Sequence, residues 1–186
     1  THHEAVSMMR DAQRNLVNVE KFGAVRGLLT GSFASYPQDK LNEAWKCAIY
    51  PDHGWGGNGG YITDEIYKEK FRQSQASANE MLEDVLGEIG GMIEHKQEGL
   101  PIVVFNPESW LRNIVITKVN VYGLGRGHFV LTDDKGQHIP FQYLPIKGQT
   151  KDGDIQIAFQ ADSIPSIGYR SYYLKHVKDE IFEDAV

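Results

Sequence analysis

Apolar residues in the first half of the chain recur at steps of three and four, which is the spacing of one face of an α-helix. The pattern predicts a first helix over residues 4–29 and a second helix between Pro37 and Pro51. Proline fits the first turn of a helix and disfavours helical geometry in the residue before it, so these two prolines bracket the second helix. The apolar positions of the two helices are Ala5, Met9, Ala12, Leu16, Val19, Leu41, Ala44, Trp45, Ala48 and Ile49.

A long third helix is predicted to end at about His95, with Thr63 or Asp64 as its N-cap. Its apolar seam needs two neighbours, and we expect the first two helices to supply them as antiparallel partners. Three glycines near its end weaken the helix by roughly 1 kcal/mol each relative to alanine. Either another backbone approaches closely there, or the helix end frays. The seam consists of Phe71, Gln75, Ala78, Leu82, Val85, Ile89 and Met92, and the glycines are Gly87, Gly90 and Gly91.

The pattern changes at Gly99 to short runs of alternating or β-branched residues separated by glycine, aspartate and proline. Runs of this length with turn signals between them predict an antiparallel β-sandwich. The segments GLGRG (123–127) and DDKG (133–136) are predicted to be hairpin turns. Pro140 and Pro145 cannot donate a ladder hydrogen bond, so their run is expected at a sheet edge.

The predicted organisation is therefore α+β and multidomain, with a three-helix bundle followed by an antiparallel β-sandwich. The bundle is assigned to residues 1–97, the sandwich to 98–178 and an acidic tail to 179–186. The formal net charge is −6 and the 19 basic residues are scattered, so we expect no nucleic-acid partner. No apolar run reaches the roughly 20 residues of a membrane span, so we expect no membrane partner. The single cysteine, Cys47, excludes an internal disulfide.

The segment PDHGWGGNGG, residues 51–60, interrupts the helices with five glycines. Glycine permits backbone conformations and close approaches that other residues do not. His53 could bind a metal there, and Trp55 could stack on a sugar ring. The alternative interpretation is a polar loop whose histidine ends a helix, since His53 and Asp52 alone do not provide the three or four ligands of a zinc site.

The other candidate groups favour structural roles. The remaining histidines lack a second ligand at metal-binding spacing, and the acidic pairs have the helical spacing of solvated surfaces. The sequence contains no GxSxG, no P-loop, no helix-initiating GxGxxG and no CxxC. The histidines in question are His2, His3, His95, His128, His138 and His176.

The ordered set of motifs resembles the middle and early carboxy-terminal part of the family 38 glycoside hydrolases, the retaining α-mannosidases. The segment AWKCAIYPDHGWGG is similar to the family's tryptophan-bearing helix and histidine-containing loop. LPIVVFNPESWLR is similar to its entry into the sandwich, and IPFQ with IPSIGYRSYYL to the way that domain closes. Many members carry aspartate directly after the histidine, whereas Gly54 stands here. THHEAV superficially resembles a His-His-Asp form of that loop, but it precedes the first helix and is rejected as the match.

The resemblance implies that a preceding catalytic domain holds Zn²⁺, an aspartate nucleophile and a carboxylic acid/base. By position in the loop, His53 is then the fourth zinc ligand, and Asp52 and Trp55 contact a mannoside or mannose-containing glycan. The other catalytic groups lie outside these residues. We therefore expect a non-catalytic fragment of an α-mannosidase that is inactive alone and binds zinc weakly.

The competing hypothesis is a stand-alone carbohydrate-binding or interaction module with no catalytic role. In it, Trp55 and Trp110 are surface aromatics, and the aromatic platform lies on the sandwich. Large aromatic residues mostly serve burial, so we expect Trp110 to pack at a strand end instead. The positions of Trp55 and His53 separate the two hypotheses, because in a fragment they would lie at an exposed bundle end beside a broad apolar patch left by the missing domain.

Overall fold

The computed structural model describes residues 2–49, 60–124, 127–146 and 153–177. The chain divides into two compact units, Thr1–Ile93 and Glu94–Val186. Helices form the first unit and antiparallel strands the second, so the predicted α+β class is confirmed. None of the described helices has an apolar stretch long enough to cross a membrane.

The first unit contains α1 (His2–Thr30), α2 (Gln38–Ala48) and α3 (Gly60–Gly91). α2 runs antiparallel to α3, and the Ser74 hydroxyl donates a hydrogen bond to the Ala44 carbonyl at 2.8 Å between them. α1 runs parallel to α3, so the expectation of two antiparallel neighbours is wrong for α1. An up-down-up order of three consecutive helices places the first and third in the same direction. Contacts in the same order along α1 and α3 are Glu4–Lys68 (2.8 Å), Asn15–Asn79 (2.7 Å) and Arg26–Glu88 (3.2 Å).

The bundle core lies along the seam of α3, at positions slightly rotated from those predicted. Ser74 and Met81 are buried, whereas the predicted Gln75 and Leu82 are only half-buried. Met92 lies beyond the end of the helix and is 49% exposed. The buried positions keep steps of three and four, as an amphipathic helix requires. They are Phe71, Ser74, Ala78, Met81, Val85 and Ile89, opposite Leu16 and Val19 of α1 and Leu41, Ala44 and Ala48 of α2.

The glycines that allow close packing are in α1, not α3. A Cβ added at any of the three α3 glycines would meet nothing within 4 Å among the described residues, so the close-approach explanation is wrong there. A Cβ at Gly27 would lie 2.5 Å from the Phe33 ring, and one at Gly23 would lie 3.0 Å from the Tyr36 ring. These two glycines make room for the α1–α2 loop to fold back over α1.

Two helix termini also differ from the prediction. α3 begins at Gly60, so Thr63 and Asp64 lie inside its first turns and neither is its N-cap. α3 ends at Gly91 instead of near His95. Pro37 occupies the N-cap position of α2, one residue before its first helical residue. Glycine is a poor helix former, so no residue pattern predicted a helix that begins at Gly60.

The second unit is a sandwich of two antiparallel sheets. The strands are β1 (Leu100–Asn106), β2 (Val115–Val121), β3 (His128–Asp133), β4 (His138–Ile139), β5 (Phe141–Leu144), β6 (Ile155–Ala161) and β7 (Gly168–Val177). One sheet has the strand order β1-β7-β3-β4 and the other β2-β6-β5. Side chains from both sheets fill the space between them, and the rings of Phe159 and Tyr172 meet edge to face at 4.9 Å.

The connections show where turn chemistry predicted pairing and where it did not. Residues 133–136 form the predicted hairpin turn between β3 and β4; the Asp133 carboxylate accepts hydrogen bonds from the amides of Lys135 and Gln137. The prediction of a hairpin at residues 123–127 is wrong, because β2 pairs with β6 and β3 lies in the other sheet. Pro140 separates β4 from β5, which are edge strands of different sheets, so the predicted edge position is confirmed.

Candidate functional site

The predicted site residues Asp52, His53 and Trp55 fall in residues 50–59, outside the described residues. Their proposed roles therefore stay predictions. The flanking elements are described: α2 ends at Ala48, and α3 begins at Gly60. The segment that carries the three residues therefore connects the C-terminal end of α2 to the N-terminal end of α3.

α1 contacts both of the helices that flank this segment. The side-chain amide of Gln13 donates a hydrogen bond to the Ala48 carbonyl at 2.9 Å, and Lys68 pairs with Glu4 at 2.8 Å. The hydrogen bond from Lys68 lowers the pKa of Glu4, and the same bond raises the pKa of Lys68. These contacts fix the ends of α2 and α3 against α1.

Large apolar side chains are exposed on both sides of this segment. Ile49, the C-cap of α2, is 62% exposed, and Tyr61, in the first turn of α3, is 72% exposed. Ile66, one turn further along α3, is 52% exposed. Apolar side chains are therefore exposed to solvent on both of the helices that flank the segment.

The described residues contain no cluster of three or more histidine, cysteine, aspartate or glutamate side chains able to hold a metal ion. A tetrahedral zinc site needs three or four such ligands. The described part of the chain therefore does not fit a complete zinc site of its own. A role of His53 as one ligand of a shared site remains a hypothesis.

Trp110 is 59% exposed, so the expectation that its ring packs at a strand end is wrong. The backbone of Trp110 is held instead, because the side-chain amide of Asn106 donates a hydrogen bond to the Trp110 carbonyl at 2.8 Å. The adjacent Leu111 is 52% exposed. An aromatic ring is therefore presented on the surface of the sandwich unit.

A buried cation on α1 did not emerge from the motif analysis. Arg26 is 4% exposed and lines a cavity within the bundle unit. The signal was present in the sequence: Arg26 continues the apolar series Leu16 and Val19 at helical spacing, on the face that turns to the core. A charged residue at a core position needs partners, and the Arg26 guanidinium donates hydrogen bonds to the Ser35 carbonyl at 2.5 Å and to the Glu88 carboxylate at 3.2 Å.

No protein-family model matches the chain, and no curated protein matches it. Among solved structures, it is similar to a protein in the glycosyl hydrolase family 38 from Enterococcus faecalis, with 16% identity and a TM-score of 0.74 over 97% of this chain and 26% of that chain. The fold matches that of the aligned part of this family 38 structure. The chain is also similar to an alpha-mannosidase from Enterococcus faecalis V583, with 16% identity and a TM-score of 0.69 over 96% of this chain and 24% of that one.

The chain spans about a quarter of the length of these two structures. The resemblance inferred from the sequence is confirmed by structure neighbours of that family. At this level of identity the likeness establishes the fold, and activity is a separate question.

Proposed function

We propose that this chain is the helical bundle and first β-sandwich of a zinc-dependent retaining α-mannosidase. The observation that carries the proposal is the fold likeness, with a TM-score of 0.74 over 97% of the chain to a family 38 protein. The motif order of the sequence supports it independently, because the histidine loop follows the second helix and the Asn-Pro segment ends β1. The catalytic domain would precede this region and would be its main partner.

In this proposal His53 supplies one zinc ligand across a domain boundary, which accounts for a glycine-rich loop at the end of the bundle. Glycines allow the backbone to approach another domain closely. Zinc bound there would stabilise developing charge and orient sugar hydroxyls. Trp55 would pack against the apolar side of a mannoside, and Asp52 would accept hydrogen bonds from its hydroxyls. The nucleophile, the acid/base and the other ligands would come from the preceding domain.

Exposed apolar side chains on both sides of the His53 segment support a domain interface. Ile49, Tyr61 and Ile66 are each more than half exposed, and they flank the segment that carries His53. Burying such side chains against a neighbouring domain is favourable by roughly 1.5–3 kcal/mol for each fully buried one. An interface at this position would also bring the histidine loop to the neighbouring domain.

The experiment compares the 186-residue chain with a longer polypeptide that includes the preceding sequence of the same gene. We expect the isolated chain to leave a nitrophenyl α-mannoside intact, and the longer polypeptide to hydrolyse it with retained configuration and to contain zinc. His53→Ala should lower zinc content and reduce turnover by at least about 100-fold, since lost ligands cost more than lost supporting contacts. His138→Ala is the control, because His138 is exposed on β4.

Two results would contradict the proposal. One is clear hydrolysis by the isolated chain. The other is a longer polypeptide whose zinc content and turnover are unchanged by His53→Ala.

The exposure of Trp110 favours a second candidate function, a carbohydrate-binding module that acts without catalysis. Its ring is 59% exposed, as a sugar-stacking platform requires. In this case the isolated chain should be retarded by mannan in affinity electrophoresis. Trp110→Ala should abolish the retardation, whereas Ile114→Ala, which removes another exposed apolar side chain of the sandwich, should not. Absence of any Trp110-dependent retardation would eliminate this candidate.

A further inference from the structure

Two connecting segments of the sandwich unit lie side by side and are bonded to each other. They are residues 107–114, between β1 and β2, and residues 162–167, between β6 and β7. The side-chain nitrogen of Asn106 donates to a carbonyl of each segment, those of Trp110 and Pro165, at 2.8 Å. We call the surface that they form the paired-loop surface. The other hydrogen bonds between the segments, in opposite order along them, are Ile167–Glu108 (2.9 Å), Arg112–Ile164 (2.9 Å, in both directions) and Ile114–Asp162 (3.4 Å).

Large apolar side chains of the paired-loop surface are exposed to solvent. Trp110 is 59% exposed, Leu111 52% and Ile114 66%. Ile167, on the second segment, is 37% exposed. Apolar side chains that are scattered singly over a surface need no explanation, but several on one fixed backbone surface are typical of an interaction site.

The backbone of the paired-loop surface is strained. The non-glycine residues with positive φ in the described part of the chain are Ile114 (58°), Ser163 (52°) and Ile167 (42°), and all three belong to this surface. Positive φ brings Cβ too close to a carbonyl oxygen, and it is an outlier for a β-branched residue. Asparagine or glycine adopts this conformation at less cost. Because Ile114 is mostly exposed, burial within the sandwich unit does not compensate for its strain.

The chemistry of these side chains fits a protein partner better than a saccharide. The hydroxyl groups of a buried sugar need hydrogen-bond partners, and the side chains of Leu111, Ile114 and Ile167 offer none. An apolar centre that includes an aromatic ring is typical of the core of a protein interface. Strained residues cluster where the surrounding structure must present a side chain in one position, so the strain also favours a specific contact.

The proposed parent protein would provide such a partner. This chain covers 26% of the family 38 structure that it resembles, so most of a polypeptide of that kind lies outside these 186 residues. We propose that the paired-loop surface is the docking site of another domain of the same polypeptide, outside residues 1–186. Interfaces between domains of one chain typically bury about 600–1,500 Å². The inference rests on the proposed function for the existence of that domain, and it does not involve zinc or His53.

The first test makes one substitution at two isoleucines that are almost equally exposed. Ile114 is 66% exposed and has positive φ, whereas Ile116 is 64% exposed and lies in β2. In the isolated 186-residue chain, Ile114→Asn should raise the folding equilibrium constant of the sandwich about fivefold or more, because it relieves the strain. Ile116→Asn is the control and should lower that constant, because asparagine is unfavourable in a strand. Urea unfolding followed by NMR of β7 amides measures both.

The second test repeats the comparison in the full-length polypeptide of the same gene. There Ile114→Asn should lower the urea midpoint of the sandwich, because the contact with the docked domain is lost. Hydroxyl-radical footprinting of Trp110 reports docking directly. The ring should react at least about fivefold more slowly in the native full-length polypeptide than in the isolated chain, as its exposed fraction falls from 59% to that of an interface core. Unfolding in urea should restore the faster reaction.

Several results would overturn the proposal. One is equal reactivity of Trp110 in the isolated chain and in the full-length polypeptide. A second is stabilisation of both by Ile114→Asn, and a third is destabilisation of the isolated chain by Ile114→Asn as large as that by Ile116→Asn. Protection of Trp110 that grows with the concentration of the isolated chain would assign the surface to a second copy, and protection by mannan would assign it to a saccharide.

Failure of this inference is distinguishable from failure of the proposed function. Trp110 protection does not require turnover, so it can be present in a full-length polypeptide that hydrolyses no mannoside. Conversely, zinc content and turnover that depend on His53 would uphold the proposed function even if Trp110 stayed reactive.

Discussion

Replacing Asn106 by alanine removes a side chain that fastens three separate backbone segments of the sandwich. Asn106 ends β1 and is 2% exposed. Its side-chain nitrogen donates to the carbonyls of Trp110 at 2.8 Å, Ile164 at 3.1 Å and Pro165 at 2.8 Å. Its side-chain oxygen accepts from the amide of Glu108 at 3.0 Å. The Asn-Pro motif of the sequence is thus a fastening between β1, the loop that follows it and the β6–β7 connection.

The expected cost follows from counting the groups left without partners. The Ile164 carbonyl keeps a second hydrogen bond, from the amide of Arg112 at 2.9 Å. The carbonyls of Trp110 and Pro165 and the amide of Glu108 lose the partner that Asn106 gave them. Each unsatisfied buried group costs about 1–3 kcal/mol, and these groups are only partly buried, so water recovers some of the loss. We expect Asn106→Ala to lower the free energy of unfolding by about 3 kcal/mol.

The assay is a urea titration followed by NMR, because the two units can unfold in separate transitions. Resolved amides of β7 report on the sandwich, and amides of α3 report on the bundle. The β7 transition should move to lower urea, whereas the α3 transition should stay in place. Asn113→Ala is the control, since Asn113 is exposed and lies a few residues further along.

Asn106→Asp provides an independent check through pH. The new carboxylate would face the same three carbonyl oxygens in a buried position, which raises its folded pKa above the unfolded value of about 3.9. The pH-dependent part of the destabilisation is therefore absent below about pH 3.9, appears as pH rises and is complete above the folded pKa, in addition to a constant loss from the missing N–H donors. A loss below about 0.5 kcal/mol for Asn106→Ala, or a pH-independent loss for Asn106→Asp, would refute the reasoning.

Two further predictions concern the cores. Burial raises the pKa of Tyr172, so its contribution is present below the unfolded pKa of about 10 and is lost as pH rises through the folded value. The urea midpoint of the sandwich should fall above pH 10, and Tyr172→Phe should flatten that fall; an unchanged slope would contradict this. Leu16→Ala should cost the bundle about 2–5 kcal/mol, since Leu16 is fully buried. Val17→Ala, at a 38% exposed position, should cost less than about 1 kcal/mol. Thermal unfolding of both variants measures the two losses.

The helices were predictable because their signal is local. The helix predicted over residues 4–29 is His2–Thr30 in the structure. Apolar periodicity indicates both which face is buried and how far the helical pattern continues along the chain. Whether two neighbouring helices are parallel or antiparallel is not determined by local sequence. Apolar steps of three and four are the same for parallel and antiparallel neighbours. Only the order of the contacts along the two helices, Glu4 with Lys68 and then Arg26 with Glu88, shows that α1 and α3 are parallel.

The strands were likewise predictable and their partners were not. The glycines of residues 123–127 indicate a turn, but a turn does not specify whether the next strand joins the same sheet. β2 pairs with β6, with Val121 opposite Ile155, and that choice depends on which apolar faces meet across the sandwich. The role of Asn106 was hidden for the same reason, because two of its acceptors, Ile164 and Pro165, lie far along the chain.

The candidate sites divide in the same way. The roles of His53, Asp52 and Trp55 were inferred from the order of the motifs. The support for these roles is that order together with the fold likeness. Arg26 carried a usable signal, an arginine on an apolar helical face, but its partners could not be named without the folded loop that brings Ser35 to it. Sequence patterns identify such a residue as unusual, and three-dimensional contacts are needed to say what it does.

Pro140 alone separates a strand of one sheet from a strand of the other. Because only one residue connects β4 to β5, a shift of either strand by one position would also shift the other strand. An insertion or deletion at this point would turn Phe141 outward and Gln142 inward, so an aromatic and an amide side chain of β5 would exchange faces of the sheet. Length variation among related proteins should therefore avoid this junction and collect in the longer connection between β5 and β6.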